Sequence, residues 1–292
     1  MTSSTTPLLT IALPVYNGGN TLRVAVQSIL DQTFTDWELY IIDDGSSDGA
    51  VEALPQSSDP RIHVLRDGNN KGLSSRLNEA VQMAQGTYFA RMDHDDICHP
   101  ERFSKQITYL KSNHDVDLLG AFCITINEQS QIVGTLPTAI THEQICKKPW
   151  LGFYLPHPTW CGKIEWFRAN SYKHNPAPYC CEDQELLLRA YSTSRYHALP
   201  MNLLAYRVRT NTPMKRLWRN RWAWCKEQVN YFKAHQKKRL IALTCLAAIA
   251  RISNDLMKKF LFAIRRKAPQ KNSHRVSATE YDFWETRIAD LE

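Results

Sequence analysis

Residues 92–96 read Met-Asp-His-Asp-Asp, directly after the short apolar run Thr87-Tyr88-Phe89-Ala90. A strand ending there carries Asp93 and Asp95 on one side, because residues i and i+2 of an extended chain point the same way. Two carboxylates pressed together repel unless a cation sits between them or one has another partner. Mg²⁺ and Mn²⁺ favour carboxylate oxygens and keep coordination positions open for phosphate oxygens. The string therefore reads as a metal–diphosphate site, with a solvated acidic turn as the alternative.

Such a site needs elements to position it. Leu8-Leu9-Thr10-Ile11-Ala12-Leu13 is a β-rich run ending at Pro14-Val15-Tyr16-Asn17-Gly18-Gly19. Leu39-Tyr40-Ile41-Ile42 ends at Asp43-Asp44-Gly45-Ser46-Ser47-Asp48-Gly49, and Arg61-Ile62-His63-Val64-Leu65 is followed by Asn69-Asn70-Lys71-Gly72. Each run precedes a segment with helical spacing. Strands alternating with helices predict an α/β fold, a mostly parallel sheet covered on both faces. Ligands of such sheets bind beyond the carboxyl ends of the strands. All of the polar, glycine-rich strings fall at that edge.

Pro14-Val15-Tyr16-Asn17, Asp43-Asp44-Gly45-Ser46-Ser47-Asp48, Asn70-Lys71-Gly72, Asp93-His94-Asp95-Asp96 and Glu182-Asp183 stand in the order and approximate spacing of family 2 glycosyltransferases. The chain resembles that family over roughly residues 8–210. The resemblance implies a GT-A fold, Rossmann-like with a mostly parallel sheet flanked by helices. It also implies a nucleotide-diphosphate sugar donor, with a UDP-sugar expected, inverting transfer, and Mn²⁺ or Mg²⁺ as cofactor.

The same resemblance distributes roles. Pro14, Val15 and Tyr16 form one wall for the nucleobase, with the Tyr16 ring stacking; the alternative for Tyr16 is a half-buried strand-end aromatic. Asp44 matches the acid that accepts a hydrogen bond from uracil, and Asp43 serves the sugar or the turn. Ser47 or Asp48 is expected to cap a following helix. Arg76, one helical turn past Gly72, reaches the base or phosphates or is an exposed helix arginine. Asp93 approaches the ribose or the metal, and Asp95 is the main metal ligand. Asp96 is expected to cap a helix starting near His99-Pro100-Glu101, and His94 is a spacer pointing to the opposite face.

Glu182-Asp183 opens Gln184-Glu185-Leu186-Leu187-Leu188-Arg189, a helix start with acids in its first turn, where dipole complementation alone would favour them. The family match makes Asp183 the general base for an inverting transfer, with Glu182 orienting groups on the acceptor side. His157, in Leu155-Pro156-His157-Pro158-Thr159-Trp160, holds a phosphate or acceptor hydroxyl, or is structural. The chain departs from the family at Tyr206-Arg207-Val208-Arg209, where many members carry histidine at the last position. Protonated arginine is no metal ligand. Arg207 and Arg209 are expected to grip the diphosphate instead.

The 292 residues, 43% hydrophobic, allow one large α/β domain, assigned to residues 1–212, and a basic helical extension, 213–292. The chain carries +7 overall, yet residues 207–276 hold 19 Lys and Arg against two acids, Glu227 and Asp255. The catalytic body is therefore acidic and the extension strongly basic. Trp218, Trp222, Trp224, Tyr231 and Phe232 alternate with Arg216, Arg219, Arg221, Lys226 and Lys233. Leu240 to Ala250 is an apolar run of about eleven residues, too short to span a bilayer. Leu256, Met257, Phe260, Leu261 and Ile264 then recur at helical spacing among Lys258, Lys259, Arg265, Arg266 and Lys267. This pattern suits an anionic membrane surface, or an apolar stripe packed on the catalytic body. Nucleic-acid binding is not expected, since no recognised fold or zinc spacing accompanies the charge. Residues 279–292 read as a short acidic helix folding back on the basic arm.

The eight cysteines show no paired zinc spacing, and no signal peptide is recognisable. They are read as reduced thiols of a cytoplasmic protein, peripheral on the inner membrane face. The expected acceptor is a saccharide or lipid-linked hydroxyl in surface-glycan synthesis. A nucleotidyltransferase shares the metal and nucleotide needs, but Glu182-Asp183 and the absence of a Walker-type loop argue against it. A non-catalytic nucleotide or glycan binder is opposed by Asp95 and Asp183.

Overall fold

The structure, a computed structural model, describes residues 6–54, 59–209, 212–265 and 276–292, with the backbone alone for 258–265. Among these are nine strands: β1 (Leu9–Val15), β2 (Trp37–Asp43), β3 (Ile62–Arg66), β4 (Tyr88–Arg91), β5 (Ile97–Cys98), β6 (Leu118–Ile126), β7 (Ile132–Thr135), β8 (Cys161–Lys163) and β9 (Tyr196–Arg207). The helices are α1 (Gly19–Leu30), α2 (Leu73–Met83), α3 (Arg102–Ser112), α4 (His142–Ile145), α5 (Ile164–Ala169), α6 (Glu182–Ala190), α7 (Met214–Ala234), α8 (Lys238–Arg265) and α9 (Ala278–Leu291).

All nine strands join one sheet in the order β3-β2-β1-β4-β8-β6-β9-β5, with β7 paired to β6. The half from β3 to β4 is parallel, as the alternation of strands and helices predicts. Beyond β4 the sheet is mixed: β8 runs antiparallel to β4 and β6, while β6 and β9 are parallel. Side-chain alternation gives each face a core. Ile11, Leu13, Leu39 and Ile41 meet Leu22, Ile29, Phe103 and Ile107 of α1 and α3 on one side. Ala12, Tyr40, Ile42 and Phe89 meet Leu77 and Val81 of α2 and Phe167 of α5 on the other. Burial on both faces is why β1 and β2 are apolar throughout rather than alternating.

Three sequence expectations are corrected here. No helix follows β2 among the described residues, so neither Ser47 nor Asp48 caps one there. Asp48 instead accepts the Gly19 N–H at the start of α1, at 2.8 Å. Asp96 does not cap α3, whose N-cap position is Glu101. The tail helix α9 forms, capped by Ser277, but docks on the central sheet rather than on the basic arm. Its Trp284, Ile288 and Leu291 pack with Val24, Ile97, Ile124, Ile126 and Ala205. Arg287 pairs with Asp31 at 2.9 Å, and Arg23 donates to the Leu291 carbonyl at 3.3 Å.

The basic extension forms an α7–α8 hairpin. Trp224 and Phe232 of α7 join the core beside α6, so one side of the hairpin is structural. Helix α8 overturns the expectation that its apolar stretch is too short. Lys238–Met257 are 20 residues that contain an 18-residue window of mean hydropathy 1.5, long and apolar enough, by length and composition, to cross a membrane. The expected stripe at Phe260, Leu261 and Ile264 and its cations Lys258, Lys259 and Arg265 lie outside the described side chains. Arg266 and Lys267 lie outside the described residues.

If α9 is part of the catalytic unit, Trp284→Ala should be costly, since Trp284 is fully buried. Truncating a buried tryptophan typically loses about 3–5 kcal/mol. Denaturant unfolding should show a loss of that order; an unchanged midpoint would mean that α9 unfolds separately.

Candidate active site

Strands β2, β1 and β4 are neighbours, and their carboxyl ends carry three of the polar strings side by side. The first two are fastened together. Asn17, in the left-handed region at φ 52°, donates its N–H to Ser46 Oγ at 3.0 Å and accepts the Ser47 N–H at 2.9 Å. Pro14 and Val15 are buried within β1. Tyr16 is 51% exposed, so its ring is free to receive a planar ligand.

Asp43 and Asp44 are both buried. Asp43 accepts the Ser46 N–H at 2.9 Å and pairs with Arg66 at 3.2 Å. Asp44 accepts the Lys71 N–H at 2.7 Å, the Gly72 N–H at 3.0 Å and Arg76 Nε at 2.9 Å. A carboxylate offers about four lone-pair sites, so Asp44 keeps room for one further donor. Arg76 is buried rather than exposed. Its guanidinium is divided among Asp44, Asp67 at 2.7 Å and Glu79 at 2.8 Å. It fixes Asp44 and the Asn70-Lys71-Gly72 loop, and its donors are committed within the protein.

The third string follows β4. Asp93 pairs with Arg91, which is fully buried. Burial opposes the Arg91 charge, but Asp93 beside it holds the guanidinium charged. Asp95 is half-buried and forms no ion pair among the described residues. Burial, and then repulsion by Asp93, push its carboxyl up. Asp96 is fully buried and shifted well up by the same two causes with Asp95 added. Its Oδ1 accepts the Arg207 N–H at 2.8 Å, tying β9 to this loop, while Oδ2 has no partner among the described residues. His94 lies beside Gly18, at the start of α1.

Arg207 is turned away from the role the sequence suggests. Its Nε donates to the Asp95 carbonyl at 2.9 Å, and Nη1 donates to Asn127 O and Ser130 Oγ. It props the backbone of the Asp95 loop. Arg209 is exposed and lies within electrostatic reach of Cys180, near the start of α6.

Helix α6 brings the fourth string in. Both Glu182 and Asp183 lie in its first turn. Burial, with Asp183 alongside, pushes Glu182 up to about 7. Burial also raises Asp183, against a hydrogen bond from Gln184 Nε2 at 3.2 Å. The Gln184 amide clamps Phe153, accepting its N–H at 2.8 Å and donating to its carbonyl at 3.1 Å, which fixes the turn carrying Asp183. Glu182 and Asp183 both sense Arg91, and Glu182 also senses Asp93, so the two acidic strings face one another.

His157 is buried and bonded within the protein. Its Nε2 lies 2.8 Å from Tyr172 Oη, its Nδ1 is 4.0 Å from Glu182, and its ring meets Trp160 edge-on. Burial, with Arg91 nearby, pushes its pKa well down, so it is neutral. Sequence reasoning missed three residues that complete this centre: Arg91, Tyr172 and Tyr206. Arg91 precedes Met92-Asp93 and is the one signal a sequence offers, a charge inside an apolar strand. The Tyr206 hydroxyl is shifted well up by burial and by Asp93 and Asp96.

The arrangement fits a divalent cation. Among the described residues no group of three or more His, Cys, Asp or Glu side chains is poised to hold a metal. Mg²⁺-type sites commonly take only one or two carboxylates and complete their shell with phosphate and water. Asp95, unpaired and repelled by Asp93, is a carboxylate that a cation would stabilise.

A parallel half, a mixed second half and acids at the switch between them define the GT-A class. The glycosyl transferase family 2 model matches residues 10–171, more than half of the chain, and the protein belongs to that family. A β-1,3-glucosyltransferase of Escherichia coli, WfgD, named for UDP-Glc as donor and a diphosphoundecaprenol-linked GlcNAc as acceptor, is 34% identical over 50% of this chain and 57% of its own length. Bacillus subtilis EpsE, described as a putative glycosyltransferase, is 32% identical over 42% of this chain and 45% of its own. The matches span about half or less of the length of most such relatives. Among solved structures, S. aureus TarS in complex with UDP-GlcNAc superposes with TM-score 0.61 at 17% identity, covering 97% of this chain and 80% of that one. The mannosyltransferase PcManGT of Pyrobaculum calidifontis, with GDP-Man and Mn²⁺, gives 0.54 at 13% identity, covering 99% and 86%.

The raised Glu182 carboxyl has a consequence for stability. Its folded value of about 7 exceeds the ordinary 4.5, so the folded chain holds a proton that the unfolded chain releases. That stabilisation is complete below the unfolded value and is lost as pH rises through the folded one. Thermal melts of the ligand-free wild type should therefore lose stability between about pH 4.5 and about 7. Glu182→Gln should flatten that slope. An unchanged slope would place the proton elsewhere.

Proposed function

We propose that the protein is an inverting glycosyltransferase that moves a sugar from a nucleotide-diphosphate donor, a UDP-sugar, to a hydroxyl of a saccharide or lipid-linked acceptor in surface-glycan synthesis. The observation that carries this reading is the meeting of Glu182-Asp183 with Asp93-His94-Asp95 across one sheet edge, on a fold shared with nucleotide-sugar enzymes. The donor lies with its base against Tyr16 and Asp44, and its diphosphate toward Asp93, Asp95 and the exposed Arg209. Asp95 and Asp93 would hold Mn²⁺ or Mg²⁺. When bound, the metal supplies positive charge that offsets the charge building on the leaving diphosphate.

Asp183 takes the acceptor proton. A hydroxyl is a weak nucleophile, and deprotonation as its oxygen attacks the anomeric carbon from the face opposite the diphosphate gives inversion. Burial raises Asp183 toward the working pH, which strengthens it as a base. Glu182 shares that pocket and orients the acceptor. Residues 1–212, covered on one flank by α9, form the catalytic unit, and the α7–α8 hairpin of the 213–292 extension attaches it to the anionic inner face of the cytoplasmic membrane.

Asp183→Asn should leave donor affinity near wild type and lose on the order of 10²–10⁴ in turnover, measured by calorimetry and by a transfer assay over a panel of nucleotide sugars. Near-normal turnover would remove Asp183 from the mechanism. Asp95→Asn should abolish the gain in UDP affinity that Mn²⁺ gives the wild type. A variant whose UDP binding still responds to Mn²⁺ would remove Asp95 as a ligand.

A further inference from the structure

Helix α8 is inside out for a helix facing water. From Leu240 to Met257 its only charged residues are Arg251 and Asp255, and both are turned inward. Arg251 donates to the Leu151 carbonyl, and Asp255 accepts Arg221 Nη2 at 2.8 Å. The outward side presents Leu243, Leu246, Ile249, Leu256 and Met257, with Leu246 and Ile249 more than 60% exposed. On α7, Trp218 and Trp222 stand exposed next to Arg221 and Cys225, the residues that meet α8, so they extend the same surface.

The charge around this apolar band has one sign. The hairpin's two described acids are neutralised toward the protein, Asp255 by Arg221 and Glu227 by Lys173 at 3.0 Å. Lys215, Lys226, Lys233, Lys238 and Arg239 of the same hairpin are exposed. Apolar side chains and tryptophans accompanied by cations complement the acyl boundary of an anionic leaflet. A second protein surface would need acids to match these cations.

We propose that α8 lies in the plane of an anionic membrane, its Leu243–Met257 face among the acyl chains and Trp218 and Trp222 at the headgroups. It does not span, because its other side is packed on α7 and on Leu151. This goes beyond attachment by charge, and it bears on the acceptor. Arg251 grips Leu151, two residues before Phe153, which Gln184 clamps beside Asp183. The same seam holds Trp224 of α7, whose Nε1 would lie 3.5 Å from a Cβ at Gly152. Immersion of α8 therefore brings the base-bearing start of α6 to the lipid surface, where a lipid-linked hydroxyl would be presented. That last step rests on the acceptor reading above; the docking itself does not.

The test is co-sedimentation of the full chain with vesicles of phosphatidylcholine alone or with phosphatidylglycerol, free of any acceptor. Wild type should bind the anionic vesicles and keep part of that binding at high salt, where Coulombic attraction is screened. Leu246→Asp with Ile249→Asp changes two exposed positions. It should keep its thermal melt and its donor hydrolysis while binding anionic vesicles at least tenfold more weakly. Wild type that ignores anionic vesicles, or a double variant that binds them equally well, would overturn the proposal. So would a wild-type dimer in solution that the double variant dissolves, because the face would then belong to a second copy. Vesicle binding with no transfer to any lipid-linked hydroxyl would leave the docking intact and reject the acceptor reading.

Discussion

The structure turns on one buried cation. Asp93, Asp95, Asp96, Glu182 and Asp183 converge where the parallel and mixed halves of the sheet meet, and like charges so close cannot all ionise unaided. Arg91 lies fully buried beneath them. It pairs with Asp93, is sensed by Glu182 and Asp183, and keeps Nε and Nη1 without partners among the described residues. Its backbone is held in turn, since Arg102 donates to its carbonyl at 2.9 Å. Removing one partner of a buried pair leaves an uncompensated charge and is far more damaging than the pair's net worth suggests. Arg91 is thus the counterion that lets the two acidic strings share one site.

The arginines divide into those that build and those that remain free to bind. Arg76 and Arg207 resemble ligand-binding side chains in sequence. Their planar forks, well matched to paired oxygens, are instead fixed on the carboxylates and carbonyls that shape the Asp44 and Asp95 loops. Arg209 is left at the surface. The site accordingly presents positioned carboxylates from a rigid frame, with little positive charge of its own at the strand edge. That pattern fits an enzyme whose diphosphate contacts are completed by a divalent cation.

Much of this was legible from short strings, because strand-end turns impose local requirements that residue types reveal: glycines where the chain bends, acids where the strands end. The parallel half followed from apolar runs alternating with helical spacing. The mixed half did not, since β5 and β8 are two and three residues long and carry no period. Tyr172 and Tyr206 come from segments far from Asp93 in the chain that only the fold unites, while Arg91 shows in the sequence only as a charge inside an apolar strand. The face to which α9 docks was hidden too. Amphipathic spacing says that Trp284 and Ile288 are buried together and says nothing of the surface that covers them. In α8 the interruptions at Arg251 and Asp255 broke an apolar run that in three dimensions is continuous on one side.

The docking of α9 also bears on the order of synthesis. A chain emerges from the ribosome from its amino end, and domains tend to form as their residues appear. Strands β1 to β9 are complete long before residues 278–291 exist. Until then Val24, Ile97, Ile124 and Ile126 have no cover on that flank, and Arg207 lacks its contact with Glu292 at 3.8 Å. The nascent protein thus passes through a stage with an assembled sheet and an uncovered apolar strip beside the Asp95 loop. Helix α9 closes that flank, so a product truncated before it would be exposed to aggregation there before any loss of chemistry could be felt.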